Sequence, residues 1–553
     1  MNSGVRTFSH VLSSGSLVLR FGSLFLLFHL FTACLVGASG RMAYNVFTIV
    51  TFMTLVLTTR FILRSIQVAL FKRKHGCQPE TRIPQVDPIL GYDIFRAQVE
   101  AFKNNNVLGL AYSRYQKYGL TWSLSLMGGR FYNTIETENI KTILATSFKD
   151  FGIGGRQEAC RPLLGKGIFT TDGAEWEHSR ALVRPNFTKA QVANLDTFES
   201  HIQKLIAHIP QDGTTFDLQP LFFQLALDSA TEFLFGQSVG SFDAPQGSDQ
   251  ERFGKAFDLA QSRLGMRIRM GKLAWLYRDT NFDKACKEVH RFVDRIVLEA
   301  LQNTPCDNPE KSFDKEGERY VFLTELIKST RDPQVLRDQL LNILLAGRDT
   351  TASLLSNTFH ALVRNPHVFQ QLKAEIDTLN GKKPDYETLR NMKYLKYVLN
   401  ESLRLYPPVP ANARYALKDT ILPLGGGTNG QHPLFIPRGG IVAYSVYALH
   451  RRTDIYGPDA SEFRPERWDP SSSSSSIKNE KFLRPGWGYL PFNGGPRICV
   501  GQQYALTEAG YTIVRLIQTL GVLEGRGGER EWVPRVALTA CCHKGVRVGC
   551  LRG

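Results

Sequence analysis

The chain has 553 residues, 43% of them apolar and 21% charged, proportions that exclude a largely disordered protein. Lys and Arg outnumber Asp and Glu by 67 to 51, a net charge of +16, which suits an anionic membrane surface, nucleic acid or an acidic partner without choosing among them. The 9 cysteines are odd in number and spread along the chain, which excludes a small disulfide scaffold and fits a reducing compartment.

Two apolar stretches open the chain, residues 21–38 and 43–59. Each is close to the length a helix needs to cross the hydrocarbon core. Arg6 and Arg20 precede the first; Arg60, Arg64, Lys72, Arg73 and Lys74 follow the second. Both flanks therefore favour the cytosolic side. A helical hairpin with a short turn around Gly37–Arg41 satisfies them, and a single anchor is the other arrangement. Val36-Gly37-Ala38 would also serve as a signal-peptidase site, but cleavage there leaves the second stretch unexplained. Residues 1–75 are thus expected to be a membrane anchor region and residues 76–553 one large catalytic domain, with no nucleic-acid role.

Beyond the anchor, helical patterns dominate. Residues 332–364 carry apolar positions at helical spacing, with Asp332 as N-cap and Pro333 at the first turn. A second helical run covers 386–405 and ends before Pro407-Pro408. Extended patterns fall at 440–446 and 545–550, and six serines at 471–476 read as a surface loop. The expected fold class is mainly α with small β-sheets. Gly425-Gly426-Gly427-Thr428-Asn429-Gly430 matches G-x-G-x-x-G, but Pro433 and Pro437 follow. They forbid the helix that a dinucleotide site requires, so the segment reads as a turn between strands.

The strongest chemical signal is Phe492-Asn493-Gly494-Gly495-Pro496-Arg497-Ile498-Cys499-Val500-Gly501, followed by a helical run over 502–520. A cysteine on a Gly/Pro-constrained loop at a helix N-terminus sits where backbone amides favour an anion. The glycines let the backbone approach a flat ligand, and a thiolate held this way is an axial ligand for haem iron.

The pattern F-x-x-G-x-R-x-C-x-G is complete at Phe492, Gly495, Arg497, Cys499 and Gly501. Here the sequence resembles the cytochrome P450 family, haem-thiolate monooxygenases. Further motifs follow in the family's order. Glu401 and Arg404 give E-x-x-R at helical pairing distance, and Phe463–Trp468 resembles the segment that completes this pair through Arg467. Ala346-Gly347-Arg348-Asp349-Thr350-Thr351 lies in the long helix. The resemblance implies that this is the oxygen-binding helix, with Asp349 and Thr350 as the catalytic proton donors. It also implies that Trp176, Arg180, Arg414 and Arg497 bind the haem, its two propionates meeting the arginines, and that Cys499 is the metal ligand. Phe148-Lys149-Asp150-Phe151-Gly152, the segment 163–169 and the segment 447–457 are closest to the fungal alkane and fatty-acid hydroxylase branch. The implied reaction places one oxygen atom of O2 into a C–H bond of a lipophilic substrate, a long aliphatic chain. Tailoring of a polyketide or terpenoid is the alternative.

Substrate choice is expected in the loops 151–164 and 409–413, with Leu344, Leu345 and Leu354 as walls. No flavin or nicotinamide domain is visible, so a separate NADPH–cytochrome P450 reductase is implied. The implied location is the endoplasmic reticulum membrane, with the body in the cytosol. A non-catalytic haem carrier would not need Asp349-Thr350, and a nicotinamide oxidoreductase would rest only on the glycine-rich turn.

Overall fold

The computed structural model describes residues 40–187, 195–210, 212–304, 320–471, 483–527 and 531–551. The chain divides into two units between Gly76 and Cys77. The first holds helix α1 (Gly40–Lys74), which ends on Lys72, Arg73 and Lys74, cations that suit the negative end of a helix. Among the described residues one helix is long and apolar enough to cross a membrane, over Thr48–Lys74. Its 27 residues span about 40 Å at ~1.5 Å per residue. Phe52, Leu55 and Phe61 are each more than 60% exposed, so protein does not cover them. Gly40 and Arg41 begin this helix rather than form the turn expected there, and the helix runs through Arg60, since arginine is a good helix former. The stretch 21–38 lies outside the described residues.

The second unit is mainly helical with small sheets, as expected. Its largest sheet uses β1 (Thr121–Leu126), β2 (Gly129–Thr134), β3 (Phe151–Gly152), β4 (Ala411–Ala416) and one later strand. Between them in sequence, β5 (Thr420–Gly426) and β6 (His432–Ile436) form an antiparallel pair. The glycine-rich segment joins these two strands, as the prolines required. With β7 (Ile441–Ser445), the large sheet has the order β1-β2-β7-β4-β3.

Five helices position the site: α2 (Arg156–Leu164), α3 (Gly173–Val183), α4 (Leu218–Phe235), α5 (Asp249–Met270) and α6 (Pro333–Leu362). The Asp332 carboxylate caps α6, accepting from the amides of Gln334 at 2.8 Å and Val335 at 3.3 Å. Leu340, Leu341, Leu344 and Leu355 on α6 are fully buried, so its stability comes from packing on several sides. The single helix expected over 386–405 is two, Tyr386–Asn391 and α7 (Lys393–Leu405). Met392 between them is extended. Glu375, from another helix, accepts the amides of Tyr394 and Leu395 at 2.9 Å each. A carboxylate from elsewhere in the fold thus caps α7, a contact that periodicity does not reveal. The last helix is α8 (Gln502–Leu520), directly after the cysteine loop.

Candidate functional site

One cavity gathers most of the residues that the motifs singled out: Trp176, Arg180, Thr350, Arg414, Arg497 and Cys499 all line it. Its cysteine loop is held by backbone geometry. The Cys499 amide donates to Phe492 O at 3.0 Å, and the Ile498 amide to Gly495 O at 3.0 Å. Gly495 has φ +67°, and a Cβ there would lie 1.8 Å from the carbonyl oxygen of Leu144. No other residue type fits this approach. The Tyr444 hydroxyl on β7 donates to Asn493 Oδ1 at 2.8 Å and ties the loop to the sheet. The Cys499 thiol is free and accessible from the cavity. Its protein surroundings push its pKa up, while the Gly501 amide and Arg180 pull it down.

A fully buried ion network supports the loop from behind. Arg404 Nε and a terminal nitrogen donate to Glu401 at 2.9 and 2.7 Å. Arg467 Nε donates to Glu401 at 2.8 Å and Trp468 Nε1 at 3.0 Å. These cations hold Glu401 below the usual carboxylate range against the burial that opposes it. Arg404 also donates to the carbonyls of His450 at 2.8 Å and Ala460 at 2.6 Å. His450, kept neutral by burial with its pKa lowered to about 3, accepts the Leu490 amide on Nε2 at 2.8 Å. Its Nδ1 then donates to Arg404 O at 3.1 Å. The network reaches the cysteine segment through this imidazole, whose role the resemblance over 447–457 did not reveal.

The cavity also concentrates positive charge. Arg497 donates to Asp172 Oδ1 at 2.6 Å and to the carbonyl of Thr171 at 2.8 Å, and lies over the Trp176 ring at 4.5 Å. Burial lowers its pKa to about 10. Arg180 lies over the same ring at 5.8 Å. Arg414 donates to Asn412 Oδ1 at 3.2 Å and to Ala413 O at 2.9 Å, while its Nε is buried with no partner. A fourth guanidinium, Arg156 on α2, also lines the cavity and donates to Asn412 Oδ1 at 2.6 Å. The motifs did not single out Arg156. Among the described residues, of these four only Arg497 has a carboxylate partner. A thiol open to the cavity, a glycine loop against a carbonyl and uncompensated guanidiniums with a bare Nε fit a flat, doubly anionic ligand carrying a metal that takes a thiolate. Haem is such a ligand.

The family comparison decides the assignment. The cytochrome P450 family model matches residues 88–532. The chain belongs to the cytochrome P450 family. Cytochrome P450 monooxygenase himC of Aspergillus japonicus is 45% identical over 476 residues, covering 86% of this chain and 83% of the relative. Cytochrome P450 52A13 of Debaryomyces hansenii is 44% identical over 512 residues, covering 89% and 95%. Cytochrome P450 monooxygenase fsdH of Fusarium heterosporum is 40% identical over 521 residues, covering 91% and 88%. This P450 is therefore a haem-thiolate monooxygenase that uses O2 and an organic substrate.

Within the P450, α6 forms one wall of the cavity. Ile343, Ala346, Gly347, Thr350 and Leu354 share the cavity face, as helical spacing dictates. Leu344 and Leu345, expected as walls, face away and pack in the hydrophobic core. The Thr350 hydroxyl donates back to Ala346 O at 2.6 Å, the local bond expected of a mid-helix threonine. Asp349 does not line the cavity. It meets Arg348 at 3.0 Å and accepts from the buried Gln261 amide on α5. Burial raises its pKa to about 6, with Arg348 opposing. Arg348 in turn pairs with Asp258 at 2.5 Å, whose side chain is 57% exposed. Asp349 is thus linked by the Arg348 ion pairs to an exposed carboxylate and precedes Thr350 in the chain.

The segment joining α2 to α3 is pinned to α6. Asp338 accepts the Lys166 amide at 2.8 Å, and Asn342 Oδ1 accepts the Phe169 amide at 3.1 Å. A Cβ on Gly167 would lie 2.4 Å from Asn342 Nδ2, so a larger residue there would displace the Asn342 side chain that holds the segment. This clamp sets Ile168 and Phe169 into the cavity wall. Asp338 and Asn342 read in sequence only as polar positions on a helix.

Proposed function

We propose that this P450 hydroxylates long aliphatic chains, fatty acids or alkanes. The observation that carries the reading is the wall around the reacting centre. Ile153, Phe169, Phe233, Ile343, Leu354 and Val409 line it, an apolar surface that gives a hydrocarbon chain its binding energy by excluding water. Similarity to a cytochrome P450 52A relative at 44% identity and the resemblance to the aliphatic-hydroxylase branch support it. Comparable similarity to the monooxygenases himC and fsdH supports the second reading, tailoring of a polyketide or terpenoid.

The haem, when bound, supplies the oxygen-activating chemistry, and Cys499 is its thiolate ligand. The chain's own residues do the rest. Arg180, Arg414 and Arg497 hold the propionates, and Trp176 supports two of these guanidiniums. Asp349, held by Arg348 and Gln261, supplies protons from its acid form, and Thr350 places them at the cavity face. The apolar wall orients the chain and keeps bulk water out. The two electrons come from a separate NADPH–cytochrome P450 reductase. The α1 segment anchors the protein in the endoplasmic reticulum membrane with the body in the cytosol, where a bilayer-dissolved substrate can reach the cavity.

The test has two stages. Reduced protein under carbon monoxide gives the thiolate-type spectrum, and Cys499→Ala abolishes it; a mutant that kept both spectrum and turnover would remove Cys499 as the ligand. Difference spectroscopy with C10–C18 acids, alcohols and alkanes, then mass spectrometry of products formed with reductase, reads the substrate class. Binding and turnover confined to polycyclic or aromatic compounds would favour the second reading.

A further inference from the structure

The charges around the cavity do not balance when the haem alone is counted. Four guanidiniums line it: Arg156, Arg180, Arg414 and Arg497. Asp172 neutralises Arg497 with one oxygen, and its other oxygen accepts the Ile153 amide at 2.8 Å. The remaining three have neutral partners among the described residues. Arg180 lies on Trp176, and Arg414 and Arg156 share one amide oxygen, Asn412 Oδ1. The Cys499 thiolate would cancel the single positive charge of a ferric porphyrin core, and two propionates would offset two of these three charges, so one cation remains.

Partial burial makes that remainder unfavourable, since Arg414 is buried and Arg156 half-buried. An unpaired ion partly withdrawn from water is destabilising, and a guanidinium stays charged rather than shed its proton. Burial and the neighbouring Arg414 already pull the Arg156 pKa below the usual arginine range. The family motifs assign Arg180, Arg414 and Arg497 to the haem and leave Arg156 over. Arg156 begins α2, three residues after Ile153 of the apolar wall. Its one hydrogen bond among the described residues is to a side-chain amide, which leaves donors for a ligand.

We propose that Arg156 binds the carboxylate of the substrate, so that this P450 takes long-chain fatty acids in preference to alkanes of the same length. The assignment rests on the aliphatic reading above and narrows it to one head group. Asn412, held between Arg156 and Arg414, then positions the anchoring guanidinium. A carboxylate there completes the charge balance, and the chain lies along the wall formed by Phe169, Leu354 and Val409.

The experiment titrates the haem-loaded full chain in detergent with dodecanoic acid, its methyl ester and dodecane, following the spectral shift on binding. In the parent protein the acid binds at least ~10-fold tighter than the ester, the discrimination of a charge-assisted contact worth ~1.4 kcal/mol or more. Arg156→Gln removes that advantage, leaves ester affinity within about 2-fold and keeps haem content and the carbon monoxide spectrum. Arg156→Lys, which retains the charge, keeps most of the preference for acid. Equal affinity for acid and ester in the parent would overturn the proposal without any variant, and with dodecane still binding it would leave the aliphatic reading standing. Loss of haem in Arg156→Gln in step with loss of acid binding would place Arg156 among the propionate ligands instead. Failure of all three chains to bind the parent would overturn the aliphatic reading and this proposal together.

Discussion

Arg404→Ala tests the claim that the cysteine loop is held from behind. The Arg404 side chain is completely buried, as is that of Glu401. It donates to both Glu401 oxygens and to the carbonyls of His450, Ala460 and Glu462. Breaking a buried ion pair costs ~3–5 kcal/mol, and each carbonyl stripped of its donor adds up to ~1–3 kcal/mol, less any relief by water. Glu401 keeps Arg467, Trp468 and the Arg464 amide, which places the ion-pair loss near the lower bound. An expected loss of about 4 kcal/mol or more is then a large part of the ~5–15 kcal/mol by which proteins are stable. Arg404→Lys should fall between, because one ammonium cannot serve five bonds spread around a planar fork. The control is Lys373→Ala, which breaks a pair with side chains 38% and 57% exposed and should cost below ~1 kcal/mol. Urea unfolding of the full chain in detergent, read by tryptophan fluorescence, gives stability; the carbon monoxide spectrum of the same samples gives haem retention. Full haem retention with a loss under ~1 kcal/mol in Arg404→Ala would refute the supporting role.

Glu508 on α8 is buried and accepts from the Ser229 hydroxyl on α4, and burial raises its pKa from 4.5 to about 8. The folded state therefore holds this proton more tightly than the unfolded state, and stability falls as pH rises between those values, by up to ~1.4 kcal/mol per unit. Glu508→Gln should match the parent near pH 4.5 and exceed it at pH 8 in urea unfolding; parallel pH curves would show that the group does not titrate as placed. Gly495→Ala should yield haem-poor protein because its Cβ meets Leu144 O, whereas Gly430→Ala, with φ +69° but open space around it, should cost only ~1–2 kcal/mol of backbone strain and retain haem. Asp349→Asn should remove an ionisation near pH 6 from the pH profile of turnover. Thr350→Ala should keep the haem spectrum yet divert NADPH-derived electrons from product to reduced oxygen, and unchanged coupling would remove Thr350 from proton delivery.

Local pattern alone determined the family and much of the frame. Asp332-Pro333 marked the start of α6, Pro433 and Pro437 ruled out a nucleotide site, and the sequence around Cys499 identified its loop. Each depends on residues close in the chain, whose backbone constraints and helical spacing act locally. Tertiary structure decided what depends on elements far apart. Periodicity ran one helix through 386–405, but Glu375, distant in sequence, caps a second start after Met392. Leu344 and Leu345 read as cavity walls, yet rotation of α6 against α4 and α5 turned them into the core and turned Ile343 inward. The same packing set Asp349 against Gln261 rather than into the cavity. Arg156 and Asn412 stand 256 positions apart, and each alone is an unremarkable polar residue. Only the fold brings them together with Arg414, and the surplus charge that results is unfavourable because partial burial removes some of the water that would otherwise solvate each guanidinium separately.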